Sequence, residues 1–99
     1  MRRVNVVYDE VFDDVDILLV PDNIAENIEH IVNEFNHWLL LPENRGRFVV
    51  KVLDGYDILE IGTMEFLWWL NHVKIDTTQK ASILTQHTNL VPDYPCAEF

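Results

Sequence analysis

A chain of 99 residues is expected to form one domain around a single core. Its 48% hydrophobic residues are too many for a disordered acidic tail. Its 17 acids against 7 bases leave a net charge of −10, which argues against direct binding to nucleic acid or to an anionic membrane surface and for attraction to basic partners.

That charge is unevenly placed. No Lys or Arg lies between residues 4 and 44, a stretch that holds ten acids: Asp9, Glu10, Asp13, Asp14, Asp16, Asp22, Glu26, Glu29, Glu34 and Glu43. The remainder balances seven acids with seven bases. A lone cysteine, Cys96, excludes an internal disulfide and a multi-cysteine zinc site. No apolar run is long enough for a signal peptide or a membrane span, so the expected location is the cytosol.

In chain order, RVNVVY (3–8) reads as a strand with Val4, Val6 and Tyr8 on one face. The acidic connection DEVFDDV leads to a second strand, DILLV (16–20), and the two are expected to pair through a rather long loop. Asp22 then caps a helix running to about Leu40. Its apolar residues Ile24, Ile28, Ile31, Phe35 and Trp38, spaced 4, 3, 4 and 3, form one stripe. Pro42, Asn44 and Gly46 break the chain before RFVVKVL, DG and YDILEIG, a hairpin with Asp54-Gly55 in a type I′ turn. With a two-residue loop, Phe48, Val50, Val52, Leu59 and Ile61 face the core, while Val49, Lys51, Leu53, Tyr56, Ile58 and Glu60 face away.

A second helix begins at Gly62-Thr63, with Glu65 in its first turn. Phe66, Trp69, Leu70 and Val73 share one arc of its surface, so Trp69 is the core tryptophan and Trp68 points away, near Glu65 and His72. Residues 74–99 are less regular: 76–90 fit either a short helix capped by Asp76 or Thr77 or a strand alternating Ser82, Leu84 and Gln86, and Pro92 and Pro95 mark an irregular tail. The order ββαββα, with an antiparallel sheet packed by two helices plus a C-terminal tail, describes an α+β domain spanning residues 1–99.

Candidate chemistry is sparse. His30, Glu34 and His37 sit at i, i+4 and i+7 and could ligate zinc, but the spacing is not HExxH and no fourth ligand is evident, so a solvated polar flank is the stronger reading. Asp9, Glu10, Asp13, Asp14 and Asp16 could collect Mg²⁺ or Ca²⁺, yet Val11 and Phe12 interrupt them and the glycine of a calcium loop is missing. Ser82, the only serine, lies in no nucleophile elbow, Cys96 has no base beside it, and Gly46, Gly55 and Gly62 each belong to a turn. No catalytic residue, metal ligand or cofactor is assigned, and a non-enzyme is expected. Trp68 is either covered by the C-terminal segment through Ile83, Leu84, Leu90, Val91 or Tyr94, the preferred reading because an exposed indole is a liability, or it anchors another chain.

The runs ILLVPDNIAENIEHIVNEFNHWL and GTMEFLWWLN resemble small acidic proteins of bacterial phages and mobile elements, over residues 15 to 72. The resemblance implies a host-interaction factor of the anti-CRISPR or anti-restriction kind, some of which present carboxylates where DNA phosphates would lie, and it transfers no functional residue. The expectation is a cytoplasmic, acidic protein–protein interaction module that inhibits a host enzyme as a nucleic-acid mimic. Its partner-binding residues would be Asp9, Glu10, Asp13, Asp14, Asp16, Glu26, Glu29 and Trp68, the acids forming one continuous anionic face. The alternative is an acidic scaffold or homodimerising domain with an apolar surface around Trp68 and Tyr56.

Overall fold

The computed structural model describes residues 1–44, 46–59 and 61–99, and for 49–53 and 56–59 the backbone alone. In chain order it has strands β1 (Arg2–Tyr8) and β2 (Val11–Val20), helices α1 (Asp22–Glu26) and α2 (Ile28–Leu40), a 3₁₀ turn (Pro42–Asn44), strands β3 (Val49–Leu53) and β4 (Tyr56–Leu59), helix α3 (Thr63–Trp69), a π-helical turn (Leu70–Lys74), and strands β5 (Ser82–Thr88) and β6 (Cys96–Glu98). The α+β class and the ββαββα order hold, and the strands divide between two sheets. One is mixed and four-stranded, in the order β5-β2-β1-β6, with β6 parallel to β1 and the other pairs antiparallel. The other is the β3-β4 hairpin alone. Among the described residues no helix is long and apolar enough to cross a membrane.

The acidic connection is not a long loop. Tyr8 pairs directly with Val11, and only Asp9 and Glu10 make the turn, at φ of 52° and 57°. Positive φ at both central positions matches the right-handed twist of a two-stranded ribbon. Val11, Phe12 and Val15 are strand formers, so β2 continues through its own aspartates and reaches ten residues.

The first helix is interrupted at Asn27, whose φ of −119° leaves the helical range and whose Nδ2 donates to the Asn23 carbonyl at 2.9 Å. Asp22 supplies no side-chain cap; its carboxylate lies 2.8 Å from the Met1 amino group. In the second hairpin Asp54 (φ 49°) and Gly55 (φ 80°) form the expected tight turn, and Leu53 pairs with Tyr56. Phe48 and Ile61 pack on the core as predicted. The predicted faces of 49–53 and 56–60, Tyr56 among them, lie outside the described side chains.

Of the two readings of 76–90 the strand holds, as β5, and the departure is that the residues after it do not form an irregular tail. The C-terminal segment supplies both outer strands of the large sheet, and Leu90, Val91 and Tyr94 between them, with Cys96 of β6, cover Val7, Val15 and Ile17 on the face away from the helices. Burying each of those three side chains contributes roughly 1.5–3 kcal/mol, so the segment is integral to the fold. On the helix side, Val4, Val6, Leu18 and Val20 meet Ile24, Ile28, Ile31 and Phe35, the predicted stripe. The Phe35 ring is the hub: its centroid lies 5.3 Å from Phe66, 5.3 Å from Trp69 and 6.0 Å from Phe99.

Trp69 is buried, as its place on the helical arc required, but Val73 is 47% exposed. After Trp69 the helix widens, and the Ile75 N–H reaches back five residues to the Leu70 carbonyl at 2.7 Å. One extra residue in that turn rotates Val73 off the core arc, and Ile75 is buried in its stead.

Candidate functional site

Asp9, Glu10, Asp13 and Asp14 are all exposed and gather at the turn end of the β1-β2 ribbon. Val11 and Phe12 lie between them, and the Phe12 ring is 49% exposed. An aromatic ring open to water among carboxylates differs from the plain repulsive loop that the sequence suggested. Among the described ion pairs, His87 alone reaches this end, its Nδ1 lying 2.8 Å from Asp14 Oδ1. That contact raises the His87 pKa, the hydrogen bond with Asp14 first and its charge second.

Asp16 stands apart from those four. It is half-buried on the helix side, and both carboxylate oxygens are engaged: Oδ2 accepts the Thr63 hydroxyl, and Oδ1 accepts the His87 backbone N–H at 3.2 Å. Thr63 Oγ1 in turn lies 2.7 Å from the Tyr8 hydroxyl. With Thr63 donating to Asp16, Tyr8 donates to Thr63, and one chain of O–H donors ties β1 and β2 to the start of α3. Burial, together with the Asp16 and Glu65 charges and against the Thr63 hydrogen bond, pushes the Tyr8 phenol up to about 12. A phenol held in its neutral form is a latch and not a proton acceptor. The Glu65 carboxylate accepts the Gly62 N–H at 2.9 Å, which fixes the first turn of α3 beside it.

Glu26 and Glu29 lie at the other end of the sheet. Arg2 pairs with Val20 there, ten β2 residues away from the turn, a separation of roughly 30 Å. Glu26 faces Arg2 at 4.0 Å, Asp22 meets the Met1 amino group, and Glu34 is bound by Lys74 at 2.7 Å. The expected continuous anionic face is therefore corrected to two separate groups. Four carboxylates cluster at the hairpin end, Asp16 is tied inside the fold, and Glu26 stands at the far end beside Arg2, with Glu29 lining the same depression.

Trp68 is half-buried; of the C-terminal residues expected to cover it, Leu90, Val91 and Tyr94 lie on the opposite face of the sheet and Leu84 is exposed, while Ile83 packs on the same core cluster as Trp68. Its neighbours are aromatic and cationic: His72 stacks on it at 4.7 Å, Phe48 meets it edge-on at 5.7 Å, Trp38 lies 6.2 Å away, and the Arg47 guanidinium sits 5.5 Å from Trp38 and 5.6 Å from Trp68. Cation–π contact over both indoles holds this cluster together. Met64, 58% exposed, lines one depression with Phe48, Leu67 and Trp68.

His30, Glu34 and His37 do not converge on a metal. Glu34 bridges His30 Nε2 at 3.0 Å and Lys74 Nζ at 2.7 Å, so an ammonium occupies the place a cation would need. Among the described residues no three His, Cys, Asp or Glu side chains come close enough to hold a metal ion. Sequence reasoning missed Phe12 and His87 as parts of the acidic end. The strand-forming pair Val11-Phe12 inside a run of carboxylates was the available signal. Compared with family models, curated proteins and solved structures, the chain finds no match.

Proposed function

We propose that this chain is a non-enzymatic, cytoplasmic interaction protein whose hairpin end docks on a basic surface of another protein. The nucleic-acid groove of a host enzyme is the surface that fits, in the manner of the carboxylate-presenting inhibitors of phages and mobile elements. The observation that supports this most is the gathering of Asp9, Glu10, Asp13 and Asp14 around the exposed Phe12 ring at the end of a ten-residue strand. Four carboxylates at one end of the ribbon act on an approaching cationic surface together, which raises the association rate. The ring supplies an apolar anchor once water is displaced. The test is capture of host nucleic-acid-binding enzymes on immobilised protein, followed by displacement of labelled duplex DNA from the captured enzyme. Native protein should displace the DNA, and a D9N/E10Q/D13N/D14N variant should not; displacement undiminished in the variant overturns the proposal.

A second reading is homodimerisation through the apolar side around Trp68, and the depression that Trp68 shares with Phe48, Met64 and Leu67, together with the 80% exposure of Leu40, favours it. Trp68 itself is tied into the fold by Trp38, Phe48 and His72, so Leu40→Glu with Met64→Glu is the cleaner probe. Light scattering that gives a dimer for the native chain and a monomer for the double variant supports it; a native monomer at every concentration removes it.

A further inference from the structure

The β3-β4 hairpin is a sheet of two strands, and among the described residues neither strand pairs with any other. A lone two-stranded ribbon is only marginally stable in water, and further strands are one way to complete it. Its sequence does not suit a solvated ribbon. Seven of the nine residues in VVKVL and YDIL are aliphatic or tyrosine. Successive strand positions alternate between faces, so the neighbours Ile58 and Leu59 belong to opposite faces and neither face is wholly polar.

The two edges of the ribbon differ. β3 has a register shift between Val49 and Lys51, a bulge of the kind that bends an edge away from other chains, and β5 at the edge of the large sheet has two. β4 has none: Tyr56, Asp57, Ile58 and Leu59 follow one another in the ladder. The Asp54-Gly55 turn fixes which backbone groups that edge leaves free. Such a turn closes with the Tyr56 N–H donating to the Leu53 carbonyl, so by alternation the backbone groups of Tyr56 and Ile58 point into the ribbon and those of Asp57 and Leu59 point out.

Charge says what can meet this edge. Lys51 and Asp57 leave the two strands neutral, and residues 45–59, with Arg45, Arg47 and Lys51 against Asp54 and Asp57, carry +1 in a chain of −10. Two copies of so acidic a chain repel each other little along such a segment. The edge is also self-complementary. About a two-fold axis at Ile58, Asp57 of each copy faces Leu59 of the other, and their outward groups exchange hydrogen bonds. The register that sets Asp57 against Asp57 is opposed by like charge, as is a β3-to-β3 pairing that sets Lys51 against Lys51.

We infer that a second copy of this chain adds along β4, giving an antiparallel four-stranded sheet in the order β3-β4-β4-β3 with its two-fold axis at Ile58. The contact uses a backbone edge, not the apolar side around Trp68, and rests on neither functional reading above.

Cysteine cross-linking in a Cys96→Ala background tests the register. Facing residues of a pair that makes no hydrogen bonds lie about 4.5 Å apart at Cα, within reach of a disulfide, so Ile58→Cys should form a covalent dimer under mild oxidation. Asp57→Cys, which does not face itself, and Lys51→Cys, on the strand behind, should stay monomeric. Adding Leu40→Glu and Met64→Glu should leave the Ile58→Cys cross-link intact, which separates this contact from one through the Trp68 side. In the native chain, amide hydrogen exchange at Asp57 and Leu59 should slow as the protein concentration rises. The inference is overturned if Ile58→Cys stays monomeric, if Asp57→Cys or Lys51→Cys cross-links as readily, if the two glutamates abolish the cross-link, or if exchange at Asp57 and Leu59 is independent of concentration.

Discussion

Asn5 and Val91 hold each other through both ends of one side-chain amide: Asn5 Nδ2 donates to the Val91 carbonyl at 2.9 Å, and the Val91 N–H donates to Asn5 Oδ1 at 3.1 Å. Asn5 lies fully buried in β1, and the same Nδ2 also reaches the Tyr94 carbonyl at 3.2 Å. Asn71 repeats the device at the other turn of the chain, clasping Ala81 through bonds of 2.9 and 2.7 Å. The two asparagines fix the path of the C-terminal segment across the sheet. Asn5→Ala would leave the Val91 backbone groups unpaired at a buried site and should lower stability by about 2–3 kcal/mol in urea unfolding. Faster amide exchange at residues 89–96 should accompany that loss; exchange raised uniformly over the chain would argue against a clasp.

Phe35 touches Phe66, Trp69 and Phe99 at once, so its removal opens a cavity that no neighbour can fill alone. Phe35→Ala should cost about 3–5 kcal/mol. Against the 5–15 kcal/mol typical of a domain, that is enough to broaden or abolish the thermal transition, which calorimetry would show.

The Tyr8 latch sets an alkaline limit. Its phenol is raised from 10.0 to about 12 in the fold, so the unfolded chain releases the proton first and stability falls as pH rises from 10 toward 12. Below pH 10 the contribution is fully present. Tyr8→Phe retains the stacking on Phe99 at 5.5 Å but loses the hydrogen bond to Thr63, and should cost about 1 kcal/mol at neutral pH while flattening the alkaline decline. Urea unfolding at a series of pH values separates the two effects.

Much of this was legible before the structure, and the failures share a cause. The α2 stripe, the Asp54-Gly55 turn and the burial of Trp69 follow from local periodicity and turn chemistry, which a sequence displays directly. The Asp9-Glu10 turn does not announce itself, because glutamate at positive φ carries no propensity signal. The exposure of Val73 depends on one extra residue in a π turn, which helical periodicity cannot foresee. Strand β6 is three residues, Cys-Ala-Glu, paired in parallel with a strand at the opposite end of the chain. Nothing local marks such a strand; the buried Asn5 that secures it makes sense only once Val91 is beside it. The acidic bias was visible in composition, but its division between two ends of a ribbon depends on the length of β2, which acidic residues within the strand concealed.

The titration of His87 should depend on Asp14. Asp14 favours the charged form of the His87 ring, so the His87 pKa should exceed its ordinary value in an NMR titration and return toward it in Asp14→Asn. By linkage, the stability the pair contributes is fully present below the ordinary histidine pKa and is lost as pH rises through the raised one. An unchanged His87 titration in Asp14→Asn would show that the contact at 2.8 Å does not persist in solution.

If the hairpin carboxylates drive docking, partner binding must weaken as salt rises. With the captured partner, affinity should fall at least about tenfold between about 50 and 500 mM NaCl, because screening shortens the reach of the hairpin carboxylates. The D9N/E10Q/D13N/D14N variant should bind weakly and with little salt dependence. A variant of equal net charge, E26Q/E29Q/D76N/D93N, should bind nearly as the native chain does. Equal losses in the two variants, or an affinity that salt leaves untouched, would rule out the hairpin carboxylates as the docking element.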